Sequence, residues 1–408
     1  MKVYLVGGYI RDKILNRPTG DKDYVVVGAR ESELLEKGFK KVGKDFPVFL
    51  HPETAEEYAM ARKEIKVAQG HDGFKFEFGP EITLEEDLAR RDLTINAIAQ
   101  DLDTGEITDP YGGKSDLNKR ILRHVGPHFI EDPLRVLRVA RFKAQLKDFS
   151  LAQETKELMK DITDSGELEA LSGERVFMEV KKALLSDSPS TFINILDDVG
   201  ALEKLLPEIH GLKDVPQKKE YHPEGDSFIH TLLVLDSSVN LSTDLEIRFS
   251  CLVHDLGKAF TPKDMLPSHK GHEKAGIPLI VKICQRLKVP KKLKDLALKV
   301  CEFHLLSHKA RELRPGTILK LFKGLDVFRN EQVLDKFLLC CEADNLGKKS
   351  QSYPQKQYLK NCYKALKELN TSEITKTSQG KEVGEKIDQM RIEAIKEVKT
   401  NFVWPDDQ

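Results

Sequence analysis

The chain has 408 residues, a length that predicts two or three domains with ample core. Its apolar stretches are far shorter than the ~20 residues of a membrane span, and its N-terminus lacks the basic-then-apolar pattern of a signal peptide, so we expect a soluble, cytoplasmic protein with no membrane partner. The formal net charge of -1 excludes a uniformly basic surface, so binding to nucleic acid would depend on how the charges are distributed.

The first predicted elements are a strand, a glycine turn and a helix. Lys2–Val6 is a short apolar run, Gly7 and Gly8 allow a close approach of the backbone to a ligand, and Tyr9–Leu15 has a helical pattern with Arg11 in its first turn. Backbone N–H groups at such a helix start can bind anions. A glycine pair alone is more often an ordinary turn.

Two acidic residues precede the next apolar run. Asp21 and Asp23 flank Lys22 just ahead of Tyr24–Val27. Alternate residues of a strand project to one side, so the two carboxylates would converge while Lys22 points away. Such oxygen ligands suit Mg²⁺, which binds through one or two carboxylates plus substrate phosphates. Glycine turn and acidic strand together indicate phosphoryl or nucleotidyl transfer, whereas an Asp-x-Asp alone is usually a solvated strand end.

Short β-branched runs continue to about residue 140 and predict a small mixed sheet, with a helix that carries Leu93–Ile98. The further runs are Pro47–Leu50, Tyr58–Ala61 and Phe74–Phe78. Beyond them the pattern is helical almost throughout. We predict an α+β fold in four parts, a head at 1–139, a helical neck and linker at 140–225, a second helical domain at 226–350 and a helical tail at 351–408.

One segment of the second helical domain is strongly basic. It could follow a phosphate backbone, with the salt sensitivity that such contacts bring, or it could be the solvated face of a helix. Its cations are Lys282, Arg286, Lys288, Lys291, Lys292, Lys294 and Lys299, followed by Lys309, Arg311 and Arg314.

The same domain carries a pattern of metal-ligand residues. His254 and Asp255 are adjacent, His230 lies upstream and Asp344 downstream, on three predicted helices. Imidazole and carboxylate together suit a transition metal better than magnesium.

The six cysteines favour reduced interior thiols over a zinc ribbon or a disulfide framework, because none has C-x-x-C spacing and most lie in apolar segments. They are Cys251, Cys284, Cys301, Cys340, Cys341 and Cys362.

The motifs of the head resemble those of class II nucleotidyltransferases in the polymerase beta superfamily. The segments that carry the resemblance are Leu5–Asp12, Gly20–Gly28, Arg90–Ala97, Asp109–Gly113 with Asp116, and Glu131–Arg138. In order and spacing they are similar to the bacterial CCA-adding enzymes, which are tRNA nucleotidyltransferases, and the resemblance covers essentially the whole chain. Poly(A) polymerases are the sister group.

The resemblance implies roles for individual residues of the head. Asp21 and Asp23 would hold Mg²⁺ and act in catalysis, and Glu57 is the candidate for a third acid. The residues implied in nucleotide binding are Gly8, Arg11, Arg91, Asp132, Arg135 and Arg138.

Two of these roles have structural alternatives. Arg91 could contact triphosphate, or it could pair with Asp87 at an i,i+4 helical spacing. Asp132 and Arg135, at i,i+3 on a predicted helix that Arg138 extends, share a face and could hydrogen-bond the Watson–Crick edge of a base. The resemblance implies that they select CTP and ATP in this way, in place of a nucleic-acid template. A simple salt bridge between them is the alternative.

The adjacent His254 and Asp255, with their upstream and downstream partners, resemble the ligands of HD phosphohydrolases. This resemblance implies metal-dependent phosphatase and 2′,3′-cyclic phosphodiesterase activities with Ni²⁺ or another transition metal. His272 and His304 could be further ligands or phosphate contacts, or capping or surface histidines.

The expected function is therefore addition of CCA to the 3′ end of tRNA from CTP and ATP, with a second hydrolase activity, by a monomer or homodimer. One alternative is a poly(A) polymerase, against which the intact His-Asp pattern and the acidic Trp404–Gln408 terminus speak. The other is a tRNA-binding HD hydrolase with an inactive head, against which the intact Asp21 and Asp23 speak.

Overall fold

The computed structural model describes residues 1–42, 48–66, 74–220, 222–348, 352–372 and 381–405. The chain divides into two compact units. The first comprises Met1–Ala183 and Thr191–Leu205, and the second comprises Leu184–Ser190 and Leu206–Gln408. The four-part division by sequence stays a prediction.

The strands of the described residues all lie in the first unit. They are β1 Lys2–Val6, β2 Asp23–Val27, β3 Lys40–Val42, β4 Val48–Leu50, β5 Glu57–Met60, β6 Arg62–Lys66, β7 Phe74–Phe78, β8 Ala99–Asp101, β9 Ile107–Thr108, β10 Ile121–Leu122 and β11 Ser150–Leu151. A seven-stranded sheet has the order β3-β4-β5-β2-β1-β8-β9, while β6 pairs with β7 and β10 with β11. In the large sheet β2 and β5 are parallel and the other neighbours antiparallel, which confirms the predicted mixed sheet.

The predicted strands at 24–27, 58–61 and 74–78 agree with β2, β5 and β7 to within a residue. The run at 47–50 corresponds to β4, and its first residue, Pro47, lies outside the described residues.

The helices that lie wholly or mainly in the first unit alternate with its strands along the chain and continue beyond the last strand. They are α1 Gly8–Ile14, α2 Glu31–Glu36, α3 Leu84–Ala89, α4 Gly113–Lys119, α5 Leu134–Gln145, α6 Gln153–Asp164, α7 Gly173–Leu184, α8 Pro189–Asp198 and α9 Ala201–Leu205. Single 3₁₀ turns occur at Thr94–Asn96, Pro127–Glu131 and Glu167–Ala170.

The predicted helix across Leu93–Ile98 is wrong. The helix lies earlier, at α3, and a capping box stabilises its start. The Thr83 side chain accepts a hydrogen bond from the backbone N–H of Glu86, and the Glu86 side chain accepts one from the backbone N–H of Thr83. Leu93 is fully buried and extended and forms a bridge with His124, so this tertiary pairing leaves only a 3₁₀ turn behind it.

The second unit is built from helices joined by loops, with no strand longer than an isolated bridge among its described residues. Its helices are α10 Pro207–His210, α11 Ser227–Leu241, α12 Leu245–Val253, α13 His272–Arg286, α14 Lys291–His308, α15 Pro315–Leu325, α16 Gln332–Gly347, α17 Pro354–Lys367 and α18 Lys381–Asn401, with 3₁₀ turns at Leu256–Phe260 and Lys263–Met265. The α11 helix packs on α12 and α16, and α14 packs on α12, α13 and α16. An α+β head followed by helices is the fold predicted from the sequence.

All six cysteine side chains are free and buried, as predicted. Burial raises the pKa of the Cys284 thiol to about 11 and that of Cys362 to about 12. No helix in the described ranges combines the length and the apolar character needed to cross a bilayer.

Gly257 allows the 3₁₀ turn at Leu256–Phe260 to approach α13 closely. A Cβ atom at Gly257 would lie 1.9 Å from the carbonyl oxygen of His272 and 2.6 Å from the backbone nitrogen of Gly276. The two backbones therefore touch in a way that only glycine permits.

We predict that Gly257→Ala lowers the free energy of unfolding of the second unit by about 1–3 kcal/mol, because the added methyl group overpacks against backbone. Gly384→Ala is the matched control, since nothing lies within 4 Å of the added Cβ. It should be neutral or stabilise α18 by about 0.5–1 kcal/mol. Differential scanning calorimetry of both variants measures the effect, and equal shifts would contradict the close approach.

Candidate functional sites

The first unit contains a cavity of about 570 Å³ whose wall is strongly cationic. Three carboxylates, from Asp23, Asp92 and Asp132, face it. The cationic lining residues are Arg11, Arg62, Arg90, Arg91, Arg135, Arg138, Arg141, Arg175 and Lys182, and the glycines are Gly7 and Gly8. Such an excess of positive charge in a cleft attracts polyanions such as triphosphates.

Gly7 brings the backbone to the edge of this cavity. Its φ of 74° lies in the left-handed region, and a Cβ atom there would lie 3.2 Å from Nη1 of Arg91 and 3.8 Å from Oδ2 of Asp23. The predicted glycine turn thus places backbone, a guanidinium and a carboxylate beside one another.

Asp23 begins strand β2 and lies opposite Glu57 in the parallel pairing of β2 with β5. Partial loss of hydration raises the pKa of Asp23, Arg91 lowers it, and the nearby carboxylates of Glu57 and Asp21 raise it again. Asp21 precedes the strand, so strand alternation does not place it, although its charge still acts on Asp23. Carboxylates are the ligands that a hard divalent cation prefers, but the oxygens of these three described residues do not all lie within 4.8 Å of one another.

Arg91 reaches the cavity and also pairs with a buried carboxylate. Asp87 is fully buried and accepts from Arg91 at 3.2 Å and from Arg90 at 2.7 Å. The ion pair that the sequence offered as an alternative is therefore present. It is compatible with a ligand role, because it holds the guanidinium at the cavity wall.

A second buried carboxylate, Asp92, holds other residues of the cavity lining. Asp92 accepts from Arg138 at 2.6 Å and from the side chain of Asn96 at 2.9 Å. Burial alone would raise the pKa of Asp92, but Arg138 and these hydrogen bonds lower it far below its usual range. Asn96 in turn accepts from Arg11 at 2.8 Å, so one network connects α1 with α5.

The predicted helical geometry of Asp132 and Arg135 is wrong. Asp132 is extended, with φ −117° and ψ 105°, and the helix α5 begins only at Leu134. The Asp132 side chain accepts a hydrogen bond from the backbone N–H of Leu134 at 3.0 Å. Its carboxylate pairs with Arg175 at 2.9 Å. Arg135 donates to the carbonyl oxygens of His128 and Arg90. Both side chains nevertheless line the cavity.

Sequence patterns did not identify Arg141 and Arg175 as residues of the cavity lining. Arg141, three residues beyond Arg138, pairs with Glu179 at 2.5 Å and lies 4.0 Å from the ring centroid of Phe142. The three-residue spacing of arginines along α5 could have identified it. Arg175 comes from α7, and no local pattern connects that helix to Asp132.

The second unit brings all four predicted metal ligands together, with His272 and His304 beside them. The six side chains are buried, which excludes a surface role for the last two. His230 lies in α11, and His254 and Asp255 lie between α12 and the following 3₁₀ turn. His272 begins α13, while His304 and Asp344 lie near the ends of α14 and α16.

Asp255 lies at the centre of this cluster. Its Oδ2 is 3.2 Å from Nε2 of His254 and 3.7 Å from Nε2 of His230. Its Oδ1 is 3.1 Å from Nε2 of His272 and 3.6 Å from Nε2 of His304. Each carboxylate oxygen therefore faces a different pair of imidazoles.

The outer nitrogens of the histidine rings are anchored. Nδ1 of His254 lies 2.8 Å from the carbonyl oxygen of Cys251, and Nδ1 of His272 lies 2.7 Å from that of His269. Nδ1 of His304 contacts two carbonyl oxygens, each at 3.0 Å. Such anchoring turns Nε2 of each ring towards the cluster, in the tautomer that binds metal.

The anionic side chains of the cluster are held charged by cations. Burial would raise the pKa of Asp255, but His254 and Lys258 lower it well below its usual value. Burial also opposes protonation of His254, yet Asp255 and Asp344 raise its pKa to about 9. In the described structure Nε2 of His254 and Oδ1 of Asp255 are buried without a formed hydrogen bond. Orphaned imidazole and carboxylate atoms of this kind fit a transition metal.

A cavity of about 280 Å³ adjoins the cluster and is lined by Lys258, Lys309 and Lys348. Lys258 lies 2.6 Å from Asp255, and Lys348 lies 2.9 Å from Asp344. Their i,i+3 and i,i+4 spacings from the two aspartates are a sequence signal that could have identified both lysines.

Two further neighbours of the cluster were missed. Glu224 lies 2.7 Å from Nδ1 of His230, and His308 lies 2.5 Å from Asp344. Glu224 precedes α11 in a segment without helical periodicity, so no pattern pointed to it.

Comparisons with known families match three segments of the chain. The family "Poly A polymerase head domain" matches residues 3–123, and "HD domain" matches residues 227–346. Between them, the family "Probable RNA and SrmB- binding site of polymerase A" matches residues 148–212.

Solved structures with similar folds are CCA-adding enzymes at low sequence identity. The apo form II of one such enzyme has a TM-score of 0.66 at 21% identity, covering 100% of this chain and 90% of that one. The Thermotoga maritima CCA-adding enzyme complexed with tRNA(CCA) has a TM-score of 0.64 at 20% identity, covering 98% and 91%. These likenesses show the fold.

Curated relatives are similar along their whole length. The Multifunctional CCA protein of Alkalilimnicola ehrlichii is 47% identical, covering 100% of both chains. That of Pasteurella multocida is 49% identical over 99% of this chain and 98% of the relative, and that of Acinetobacter baumannii is 50% identical over 98% of each. With this identity over full length, the chain belongs to the family of multifunctional CCA proteins.

Proposed function

We propose that the first unit adds CCA to the 3′ end of tRNA from CTP and ATP without a nucleic-acid template, in the cytoplasm. The observation that carries this proposal is the cationic cavity that faces Asp23, with Asp21 and Glu57 beside it. Relatives named for CCA synthesis, and similar folds solved with tRNA, ATP and CTP, support it. The proposed enzyme acts as a monomer or a homodimer.

In this reaction the 3′ hydroxyl of tRNA attacks the α-phosphorus, the bond to the β-phosphate oxygen breaks, and pyrophosphate leaves. Asp21 and Asp23, with Glu57 as the third acid, would hold Mg²⁺, which neutralises developing charge on the phosphates. Arg91 at the glycine turn and Arg11 at the start of α1 bind the triphosphate. The fixed pairs to Asp87 and Asn96 keep these guanidinium groups oriented before the nucleotide arrives.

Asp132 and Arg135 select the base. Arg138, which pairs with Asp92, lines the same cavity. In the described structure Asp132 is paired with Arg175 and Arg135 donates to two carbonyl oxygens. A cytosine or adenine edge exchanges these partners for its own donors and acceptors. GTP and UTP would leave polar groups of the site unpaired and are rejected for that reason.

We propose that the second unit hydrolyses phosphomonoesters and 2′,3′-cyclic phosphodiesters. A transition metal such as Ni²⁺ bound by His230, His254, Asp255 and Asp344 would activate water for attack on phosphorus. Lys258 and Lys348, which border the adjoining cavity, orient the phosphate oxygens.

The deciding experiment offers tRNA lacking its 3′ end together with CTP alone, ATP alone, or both. Addition of two C and one A followed by arrest is the expected result, read on a sequencing gel. A long A tract from ATP would identify a poly(A) polymerase, and no addition at all would identify a hydrolase with an inactive head.

We predict that Asp21→Ala or Asp23→Ala lowers the rate of nucleotide addition by at least about 100-fold, because charge developing on the phosphates loses its stabilisation. Lys22→Ala is the matched control, since Lys22 lies between the two aspartates yet contacts Glu56 at 3.6 Å. Single-turnover addition of CMP to tRNA measures the rate. Near-normal addition by either aspartate variant would remove that residue from the metal site.

We predict that Arg135→Ala lowers the preference for CTP and ATP over UTP and GTP by about 10- to 100-fold. This is the effect expected when a hydrogen bond from a charged group to the base is lost. Competition among the four triphosphates measures the preference. Arg120→Ala is the control, because Arg120 forms an exposed pair with Asp148. If Arg135 were only structural, the variant would melt earlier and keep an unchanged preference.

We predict that His254→Ala or Asp255→Ala abolishes metal-stimulated phosphatase and cyclic phosphodiesterase activity while CCA addition continues, because the two sites lie in separate units. The wild-type hydrolase should respond more to Ni²⁺ or Co²⁺ than to Mg²⁺. His210→Ala controls for loss of a histidine elsewhere in the unit. Full hydrolysis by the His254 variant, or loss of CCA addition by a folded variant, would contradict two independent sites.

A further inference from the structure

One aromatic ring lies among the arginines of the cavity in the first unit. Phe142 belongs to α5, lines the cavity and is only 6% exposed. The Cζ atoms of Arg141, Arg11 and Arg138 lie 4.0, 5.2 and 5.8 Å from the centroid of this ring. All three distances fall within the range of about 6 Å over which a cation is attracted to an aromatic face.

Two of these arginines belong to the proposed nucleotide site and come from different helices. Arg11 lies in α1 and Arg138 in α5, so the ring is a contact that both helices share. A chain of hydrogen bonds also joins them, because Arg11 donates to Asn96, Asn96 donates to Asp92, and Asp92 accepts from Arg138. The ring of Phe142 closes this chain into a loop.

The guanidinium groups around the ring are crowded. Burial lowers the pKa of Arg141, the carboxylate of Glu179 raises it, and the positive charge of Arg138 lowers it again. Each of the three cations has a carboxylate partner of its own. The pairs are Arg11 with Asp12, Arg138 with Asp92, and Arg141 with Glu179. Carboxylates bind the edge of a guanidinium group, whereas an aromatic ring attracts its flat face, so the ring restrains the cations in a direction that the ion pairs leave free.

We propose that Phe142 is a positioning residue for the nucleotide, whose ring holds the guanidinium groups of Arg11 and Arg138 in the cavity lining before CTP or ATP binds. The inference rests on the proposed nucleotidyl transfer, and it gives Phe142 no contact with the reacting atoms. Holding the two cations in advance strengthens binding of the triphosphate, because less side-chain freedom is lost when the nucleotide arrives.

Simple packing is the alternative role for a ring that is nearly buried. The two roles differ in how they respond to the electron density of the ring. Fluorine substituents withdraw electrons from the aromatic face and weaken its attraction for cations, while they change the shape of the ring little. Packing depends on shape, so a graded response to fluorine is expected only from the positioning role.

The test replaces Phe142 in the full-length chain by mono-, di- and trifluorinated phenylalanine, incorporated at an amber codon. Isothermal titration calorimetry with Mg²⁺ measures the dissociation constants of CTP and ATP, and addition of CMP to tRNA is followed in parallel. The same series at Phe192 is the control. Phe192 is buried in α8 of the same unit, is not in the cavity lining, and has no arginine or lysine of the described residues over its ring.

The dissociation constants should rise with each fluorine at Phe142, by about 3- to 30-fold for the trifluorinated ring, and stay constant along the series at Phe192. Phe142→Leu and Phe142→Tyr decide the question if a fluorinated chain does not fold. The leucine variant should bind CTP as weakly as the trifluorinated chain, and the tyrosine variant, which keeps the ring, should bind it nearly as well as the parent.

Constant affinity along the series at Phe142, or equal changes at Phe142 and Phe192, would overturn the positioning role. The proposed transferase would stand in that case as long as the parent adds CMP to tRNA. A graded loss of affinity in a parent that adds no nucleotide would overturn the transferase and keep the positioning role. A parent that binds neither CTP nor ATP would overturn both.

Discussion

Asp87 and Asp92 are carboxylates buried in the first unit, and a buried carboxylate must be neutralised by a cation or by hydrogen bonds. Because Asp87 pairs with Arg90 and Arg91, and Asp92 pairs with Arg138, this requirement holds guanidinium groups in the lining of one cavity. Removing either carboxylate would leave those guanidinium groups without their buried partner. The cationic character of the cavity in the first unit thus depends on buried acids as well as on the arginines themselves.

The second unit meets the same requirement in another way. Asp255 and Asp344 are as deeply buried, but their neighbours are imidazoles and lysines. Imidazoles accept metals as well as protons, so the neighbours of these carboxylates include groups of the kind that bind metal. One physical constraint is therefore met by guanidinium groups in one unit and by imidazole and ammonium groups in the other.

The sequence predicted those features that short-range periodicity controls. Strand β2, the glycine turn and the order of His230, His254, Asp255 and Asp344 could be read from spacing and residue type. The helix placed at residues 93–98 was wrong because Leu93 pairs with His124, a contact that local propensity does not contain. The partner of Asp132 was missed for the same reason, since Arg175 lies 43 residues further along the chain. Pairing across such distances is decided by packing and stays invisible to pattern reasoning.

The six buried thiols bear on how one chain avoids mismetallation. Thiolates are strong competitors for nickel and zinc, but only the deprotonated sulfur binds, and burial raises the pKa of Cys301, three residues before His304, far above neutrality. Neutral sulfur atoms beside the histidine cluster are therefore poor ligands. Under the proposed function, ions that prefer oxygen ligands would bind the carboxylates around Asp23, and ions that prefer nitrogen ligands would bind the imidazoles around Asp255.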